Sequence, residues 1–113
     1  MSLVPGDLVT VDFPGVRGIK RRPAIVLSSN NYNSTRPDVI LGLITSKTKN
    51  LGSTDYTLQD WLEAGSKQSI FRSFIVTIPM PNNLMKIGRV SQRDWKDICN
   101  CLKASLLENE DWS

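Results

Sequence analysis

Three consecutive cations, Lys20, Arg21 and Arg22, stop at Pro23, and a run of strand-forming residues, Ala24 to Leu27, follows at once before Ser28. No other stretch constrains the fold as tightly. A proline at the first residue of a strand loses no ladder hydrogen bond, and it biases the residue before it toward an extended backbone. The sequence therefore predicts a buried strand over Pro23 to Leu27, with the cations held at its mouth. Grouped cations on a rigid mount suit recognition of an anion, phosphate first among them. Composition alone accounts for the same three residues equally well as a solvated turn.

The wider charge pattern is uneven. The 113 residues carry 14 Lys+Arg against 11 Asp+Glu and no histidine. Between Pro14 and Lys49 stand Arg17, Lys20, Arg21, Arg22, Arg36, Lys47 and Lys49 against Asp38 alone, whereas the tail holds Glu108, Glu110 and Asp111 without a cation. One region is thus basic enough to meet a polyanion, and the tail is no part of it.

The length suits a single domain over residues 1–113 with a core of its own. Met1 to Asp7 shows no basic segment leading into an apolar one, so no signal peptide is expected. No apolar run approaches the roughly 18 residues of a membrane span. Cys99 and Cys101, two apart in a helical pattern, point to nearly opposite faces and are not expected to bridge. A reducing, cytoplasmic setting and no membrane association fit these features. Zinc has almost no ligands to draw on, and Asp7, Asp12, Asp38, Asp55 and Asp60 lack tight ligand spacing. No metal and no cofactor are expected.

Periodicity gives the order of elements. Leu8 to Phe13 alternates apolar and polar residues, as a half-buried strand does. Pro14, Gly15 and Gly18 predict a loop that carries Arg17 and Lys20. Ser28 to Pro37 reads as a polar connection, Val39 to Ile44 as a third strand with a bulge or close approach at Gly42. A basic loop, Thr45 to Lys49, follows. Thr54 to Thr57 reads as a short strand, Leu58 to Ala64 as two helical turns stopped by Gly65, Ser69 to Ile78 as a long strand, and Lys86 to Val90 as a last short one. Ser91 opens the one long helix, with Asp94 in the capping-box position and Trp95, Ile98, Leu102 and Leu106 as its buried stripe. The sum is a small, mainly β domain: a strongly bent antiparallel sheet or barrel packed on one C-terminal helix.

These residues, in this order, resemble the PemK/MazF family of toxin ribonucleases. The likeness runs from Pro5 to about Leu107. It is carried by Pro5-Gly6-Asp7 with Val11-Asp12-Phe13, by Arg22-Pro23-Ala24-Ile25-Val26-Leu27-Ser28, and by Asp38-Val39-Ile40 leading to Ile44-Thr45-Ser46. Asp55-Tyr56 with Leu58 and Trp61, Ser69 before the stretch with Arg72, and Ile87-Gly88-Arg89-Val90-Ser91 complete it. The resemblance implies an SH3-like barrel of the MazF/CcdB type, a homodimer, and metal-independent, sequence-selective cleavage of single-stranded mRNA. It also implies a cognate antitoxin with an acidic segment. The family's arginine before proline falls on Arg22, its hydroxyl after the third strand on Thr45 with Ser46 adjacent, and a second catalytic arginine on Arg72. Two positions depart: Phe74 stands where members place an aspartate, and the loop before Arg22 has no glutamate.

Metal-free RNA cleavage by the 2′-hydroxyl needs a base, an acid and stabilisation of the phosphorane. Without histidine, a two-histidine route is excluded. Arg22 and Arg72 suit charge stabilisation, and the hydroxyls of Thr45 or Ser46 suit holding a phosphate oxygen or a water. Arg17, Lys20, Arg21, Lys47 and Lys49 are candidates for RNA backbone contacts. The general base is unassigned. The alternative is a non-catalytic toxin or binding module on the same fold, either a CcdB-like gyrase poison or a degenerate RNA binder. The basic region favours RNA.

Overall fold

The computed structural model describes residues 3–46, 51–80 and 84–108. Strands β1 (Asp7–Gly15) and β2 (Gly18–Val26) form an antiparallel hairpin, paired from Leu8 opposite Ile25 out to Gly15 opposite Gly18. β2 thus begins five residues before Pro23, and Lys20 to Arg22 lie in the strand rather than in the expected loop. Burial did not announce it, because the outer half of β2 is exposed; pairing with β1 alone holds it extended.

Strand β3 (Asp38–Thr45) joins β2 only at Ala24, Ile25 and Val26. Pro23 therefore stands where β2 still has one neighbour and has just lost the other, the place where a missing N–H does least harm. β3 pairs along its whole length with β5 (Ile70–Pro79); the two-residue β4 (Tyr56–Thr57) flanks β5, and β6 (Met85–Arg89) flanks β1. The six strands run in the order β4-β5-β3-β2-β1-β6.

Two connections differ from expectation. The polar segment after β2 contains helix α1 (Asn30–Thr35), started by Ser29, whose side chain accepts from the Tyr32 N–H at 3.1 Å. Leu58 to Ala64 is not a helix but a run of turns, with the Ala64 N–H on the Asp60 carbonyl at 3.1 Å. Leu58 and Trp61 pack inward from it, while Leu62 is exposed. The C-terminal helix α2 (Gln92–Leu106) forms as expected, capped by Ser91. Trp95, Ile98 and Leu102 meet the core, and Leu106 at its last position is 63% exposed.

Alternation along the strands builds two apolar clusters. Leu8, Ile25, Ile44 and Phe71 face α2 and pack with Leu58, Ala64, Ile98 and Cys101. Val9, Val11, Ala24, Val26, Val39, Leu41 and Ile78 face the other way, with Leu3. That second face is covered by the curl of the sheet together with Leu3, Met80 and Leu84 from outside the strands. The rings of Phe13 on β1 and Phe74 on β5 lie 6.4 Å apart, although β2 and β3 stand between their strands. In a flat sheet three steps of about 4.8 Å would separate them.

The curl is made where β5 bulges. Leu43 pairs with Phe74 and Ile44 with Phe71, leaving Arg72 and Ser73 as extra residues, with Ser73 at φ 58°. Gly42 lies beneath the bend, and any side chain there would overlap the Phe71 ring. A small, curled antiparallel sheet with a C-terminal helix is the architecture the sequence predicts.

Helix α2 is locked to the sheet by Asp94. Its fully buried carboxylate accepts from Tyr56 Oη at 2.5 Å and from the N–H groups of Gln59 and Asp60 at 2.9 and 2.8 Å. Burial, then the bond to Asp94, raises the Tyr56 phenol above its ordinary range. Only half of the capping box forms: the Asp94 N–H donates to Ser91 Oγ, while the Asp94 side chain turns to the 56–60 segment. Beside it, Asp60 accepts two 2.7 Å bonds from Arg93 and one from Ser91 Oγ, which lower its pKa to about 2.

Removing the Asp94 acceptor strands three donors, each costing about 1–3 kcal/mol. Asp94→Ala should therefore lower the unfolding free energy in urea by about 3 kcal/mol or more, and Tyr56→Phe by about 1 kcal/mol. The Asp60 contribution has a defined pH window. Its folded pKa lies below the unfolded value of 3.8, so its stabilisation is present above that value and is lost as pH falls toward about 2. Asp60→Asn should flatten stability against pH within that window, measured by thermal unfolding, and leave the dependence near pH 6 unchanged.

Candidate nucleic-acid interface

Neighbouring cations on β2 face opposite sides of the sheet. Arg21 pairs with Asp12 and Arg22 with Val11 in the β1–β2 register. Arg21 is engaged on the side of Leu8 and Ile25: its Nε donates to Thr10 Oγ1 at 3.1 Å and its Nη1 to Asp12 Oδ1 at 3.0 Å. Arg22 stands on the concave side, above Val9, Val11 and Ala24. It is exposed, and among the described residues its side chain makes no hydrogen bond or ion pair. Pro23 and the pairing with β1 fix its backbone, so the guanidinium is mounted but uncommitted.

The β2–β3 register ends with Ala24 opposite Leu43. Strand alternation puts Arg22, two residues before Ala24, and Thr45, two residues after Leu43, on the same face of the sheet, beyond the point where β2 and β3 pair. Thr45 in turn pairs with Ile70 on β5, and Arg72 follows two residues later in the bulge. Arg22, Thr45 and Arg72 are thus brought to one end of the sheet by three different strands. Ser46, one residue on, is exposed at the same end. Lys20, opposite Phe13, shares the face of Arg22, and Arg17 lies exposed in the hairpin turn. Lys47 and Lys49 lie outside the described residues.

Arg72 is held rather than loose. Its Nε and Nη2 reach the two carboxylate oxygens of Asp55 at 3.4 and 3.2 Å. The Asp55 side chain is only 9% exposed and also accepts the Gly52 N–H at 2.7 Å. Next to it, Ser73 Oγ donates to the Thr54 carbonyl at 2.7 Å. The bulge and the 52–55 turn therefore brace each other. Asp55 is a residue that sequence reasoning gave no role, because nothing local signals an ion pair spanning seventeen positions. Where the resemblance would put an acid, Phe74 presents a ring that is 54% exposed.

A cavity of about 580 Å³ lies at the opposite end of the sheet, between Leu3, α1 and Met80. None of the candidate residues lines it. No helix among the described residues is long and apolar enough to cross a membrane.

The family of PemK-like, MazF-like toxins of type II toxin–antitoxin systems matches residues 4–106. The chain belongs to this family. Solved structures of the same fold agree with it. An endoribonuclease in complex with its cognate antitoxin, from a mycobacterial species, superposes with a TM-score of 0.80 at 19% identity, covering 96% of this chain and 100% of that one. A MazE–MazF structure from Deinococcus radiodurans gives 0.78 at 20% identity, covering 94% and 97%. The Mycobacterium tuberculosis toxin MazF-mt6 gives 0.72 at 19% identity, covering 94% and 99%. No curated sequence matches significantly. At these identities the superpositions establish the fold, and the family match establishes that the chain is of the toxin class.

The half-buried Arg72–Asp55 pair extends the short β4–β5 ladder one residue beyond Tyr56 and Phe71. A double-mutant cycle with Arg72→Gln and Asp55→Asn should return a coupling of about 1 kcal/mol in urea unfolding. The Arg21–Asp12 pair, each side chain about one-third exposed, should return at most about half of that.

Proposed function

We propose that this protein is the toxin of a toxin–antitoxin pair and acts as a metal-independent endoribonuclease on single-stranded mRNA. The observation that carries the reading is Arg22: an exposed, uncommitted guanidinium on a rigid strand, facing the same side as Thr45. A guanidinium presents a fork that matches two phosphate oxygens. Arg22 binds the scissile phosphate and stabilises the charge that develops on it. The hydroxyl of Thr45, or of Ser46, holds a phosphate oxygen, and Arg72, oriented by Asp55, adds a second positive charge at the same end.

In the reaction the ribose 2′-hydroxyl loses its proton and attacks the adjacent phosphorus. The bond to the 5′-oxygen of the next nucleotide breaks, and that oxygen takes up a proton. The products are a 2′,3′-cyclic phosphate and a free 5′-hydroxyl, with no net redox change. Among the described residues no group of three or more His, Cys, Asp or Glu is placed to hold a metal ion.

RNA backbone contacts extend along the face through Lys20 and Arg17, and Lys47 and Lys49, which follow Ser46 in the sequence, are further candidates. Arg21 is left out of these contacts, since its guanidinium is neutralised by Asp12 on the other side of the sheet. The acidic segment of a cognate antitoxin would compete for the same basic mouth. A homodimer in the cytoplasm completes the reading, supported by the exposed Met85 and Ile87 on the edge strand β6. Phe74, which cannot move a proton, favours one other reading, a non-catalytic RNA binder on this fold.

The deciding experiment incubates the purified protein in EDTA with a mixed-sequence single-stranded RNA and maps the ends. Wild type should cleave. Arg22→Lys should bind within a few fold of wild type yet cleave about 10²–10³ times more slowly, the usual loss when an aimed donor is removed. Arg21→Lys should cleave like wild type. Equal rates for wild type and Arg22→Lys would reduce that arginine to scaffolding. Binding without cleavage by wild type would favour the non-catalytic reading. Affinity should fall with salt at a log–log slope of about −0.7 per phosphate contact, and a salt-indifferent affinity would remove the basic mouth from the account.

A further inference from the structure

We infer that Phe74, braced by Phe13, is a stacking platform for one unpaired nucleobase beside the phosphate held by Arg22. The inference rests on the RNA-binding reading above and assigns a site within it.

A half-exposed phenylalanine in a mid-strand position is unusual, because its ring gains most by burial. Phe74 is nonetheless 54% exposed. It belongs to the concave face through its pairing with Leu43, and it is steadied there by the Phe13 ring at 6.4 Å and 83°, an edge-to-face contact. Its backbone is fixed as well, since Ser73 immediately before it is held in the bulge by the Thr54 carbonyl. A ring fixed in this way gives up little freedom when a partner stacks on it.

The surroundings define the chemistry of that partner. Lys20 is the direct cross-strand neighbour of Phe13, and Arg22 rises from the strand between β1 and β3 on the same face. An apolar flat surface beside two cations matches a molecule with a π-face and an adjoining anionic group. A nucleotide of single-stranded RNA has both. A ring without hydrogen-bonding groups accepts any base, so this platform adds affinity and register without choosing sequence.

The test measures binding of a fluorescein-labelled, fully 2′-O-methylated RNA heptamer, which lacks the attacking hydroxyl and survives the assay. Inorganic polyphosphate serves as the probe that has charge and no bases. Phe74→Ala should weaken heptamer binding roughly ten-fold, the usual loss of one stacked base, with an unchanged salt slope and unchanged polyphosphate affinity. Phe74→Leu keeps apolar bulk without the flat face and should lose as much; Phe74→Trp should bind at least as well as wild type. Replacing one nucleotide of the heptamer by an abasic residue should abolish the difference between wild type and Phe74→Ala at one position of the scan. Equal heptamer affinity for wild type and Phe74→Ala would overturn the platform while leaving the RNA reading intact. An equal loss on polyphosphate would overturn it by showing that only the charged mouth had been disturbed. A lighter species in sedimentation of Phe74→Ala would overturn it in favour of a subunit contact. Failure of wild type to bind the heptamer at all would overturn the RNA reading itself.

Discussion

The contact on which the rest of this structure depends is the Phe71 ring lying against Gly42. A sheet of six strands left flat would expose one entire apolar face, because there is one long helix and it covers only the other. Bending solves this, and it requires the α2 face to close up at the bend and the neighbouring strand to carry extra length. Gly42 lets the Phe71 ring close against β3 on the α2 face, since any side chain there would overlap it. Arg72 and Ser73 supply the length. Close packing leaves no spare volume to absorb a larger residue at such a point. One consequence is the buried cluster of Val9, Val11, Ala24 and Leu41 under no helix. Another is the meeting of Phe13 with Phe74 across two intervening strands.

The bulge that bends the sheet also carries Arg72, so shape and chemistry share one irregularity. Bulges recur beside functional sites because they aim a side chain away from the regular alternation. Asp55 then fixes where Arg72 points. At the far side, Asp94 performs the corresponding service for α2, gathering a phenol and two backbone donors from the 56–60 segment. Asp55 and Tyr56 are adjacent in sequence, so a single short stretch ties both the bulge and the helix into place.

What was legible in the sequence follows from how strongly each segment depends on burial. α2 buries a regular pattern, and the period of Trp95, Ile98 and Leu102 states it plainly; β5 declares itself instead by its run of β-branched and aromatic residues, of which Ile70, Phe71 and Ile78 are buried. The motifs at Arg22, Thr45 and Ile87 to Ser91 also placed the chain in its family. Elements held by polar contacts were hidden. α1 is six residues without a buried side chain, sustained by the Ser29 cap and by Asn33, whose amide reaches the Leu3 and Ser28 carbonyls. The outer half of β2 has no burial pattern, and Leu58 to Ala64 mimics a helix because Leu58 and Trp61 both point inward. At the site, the sequence named Arg22, Thr45 and Arg72 singly. The strand faces they share and the tie from Asp55 to Arg72 are tertiary features.

The alternation along β2 bears on how such a chain varies. Arg21 and Arg22 are identical in composition and adjacent in the chain, yet a whole sheet separates their heads. Drift on the convex side, for instance exchange of the Arg21–Asp12 pair for two uncharged residues, changes neither the net charge nor the field that a polyanion meets in the concave mouth. A single substitution at Arg22 alters that mouth directly. Two chains of equal basicity can thus differ entirely as partners for nucleic acid, and the parity of a residue's place in its strand is what separates them.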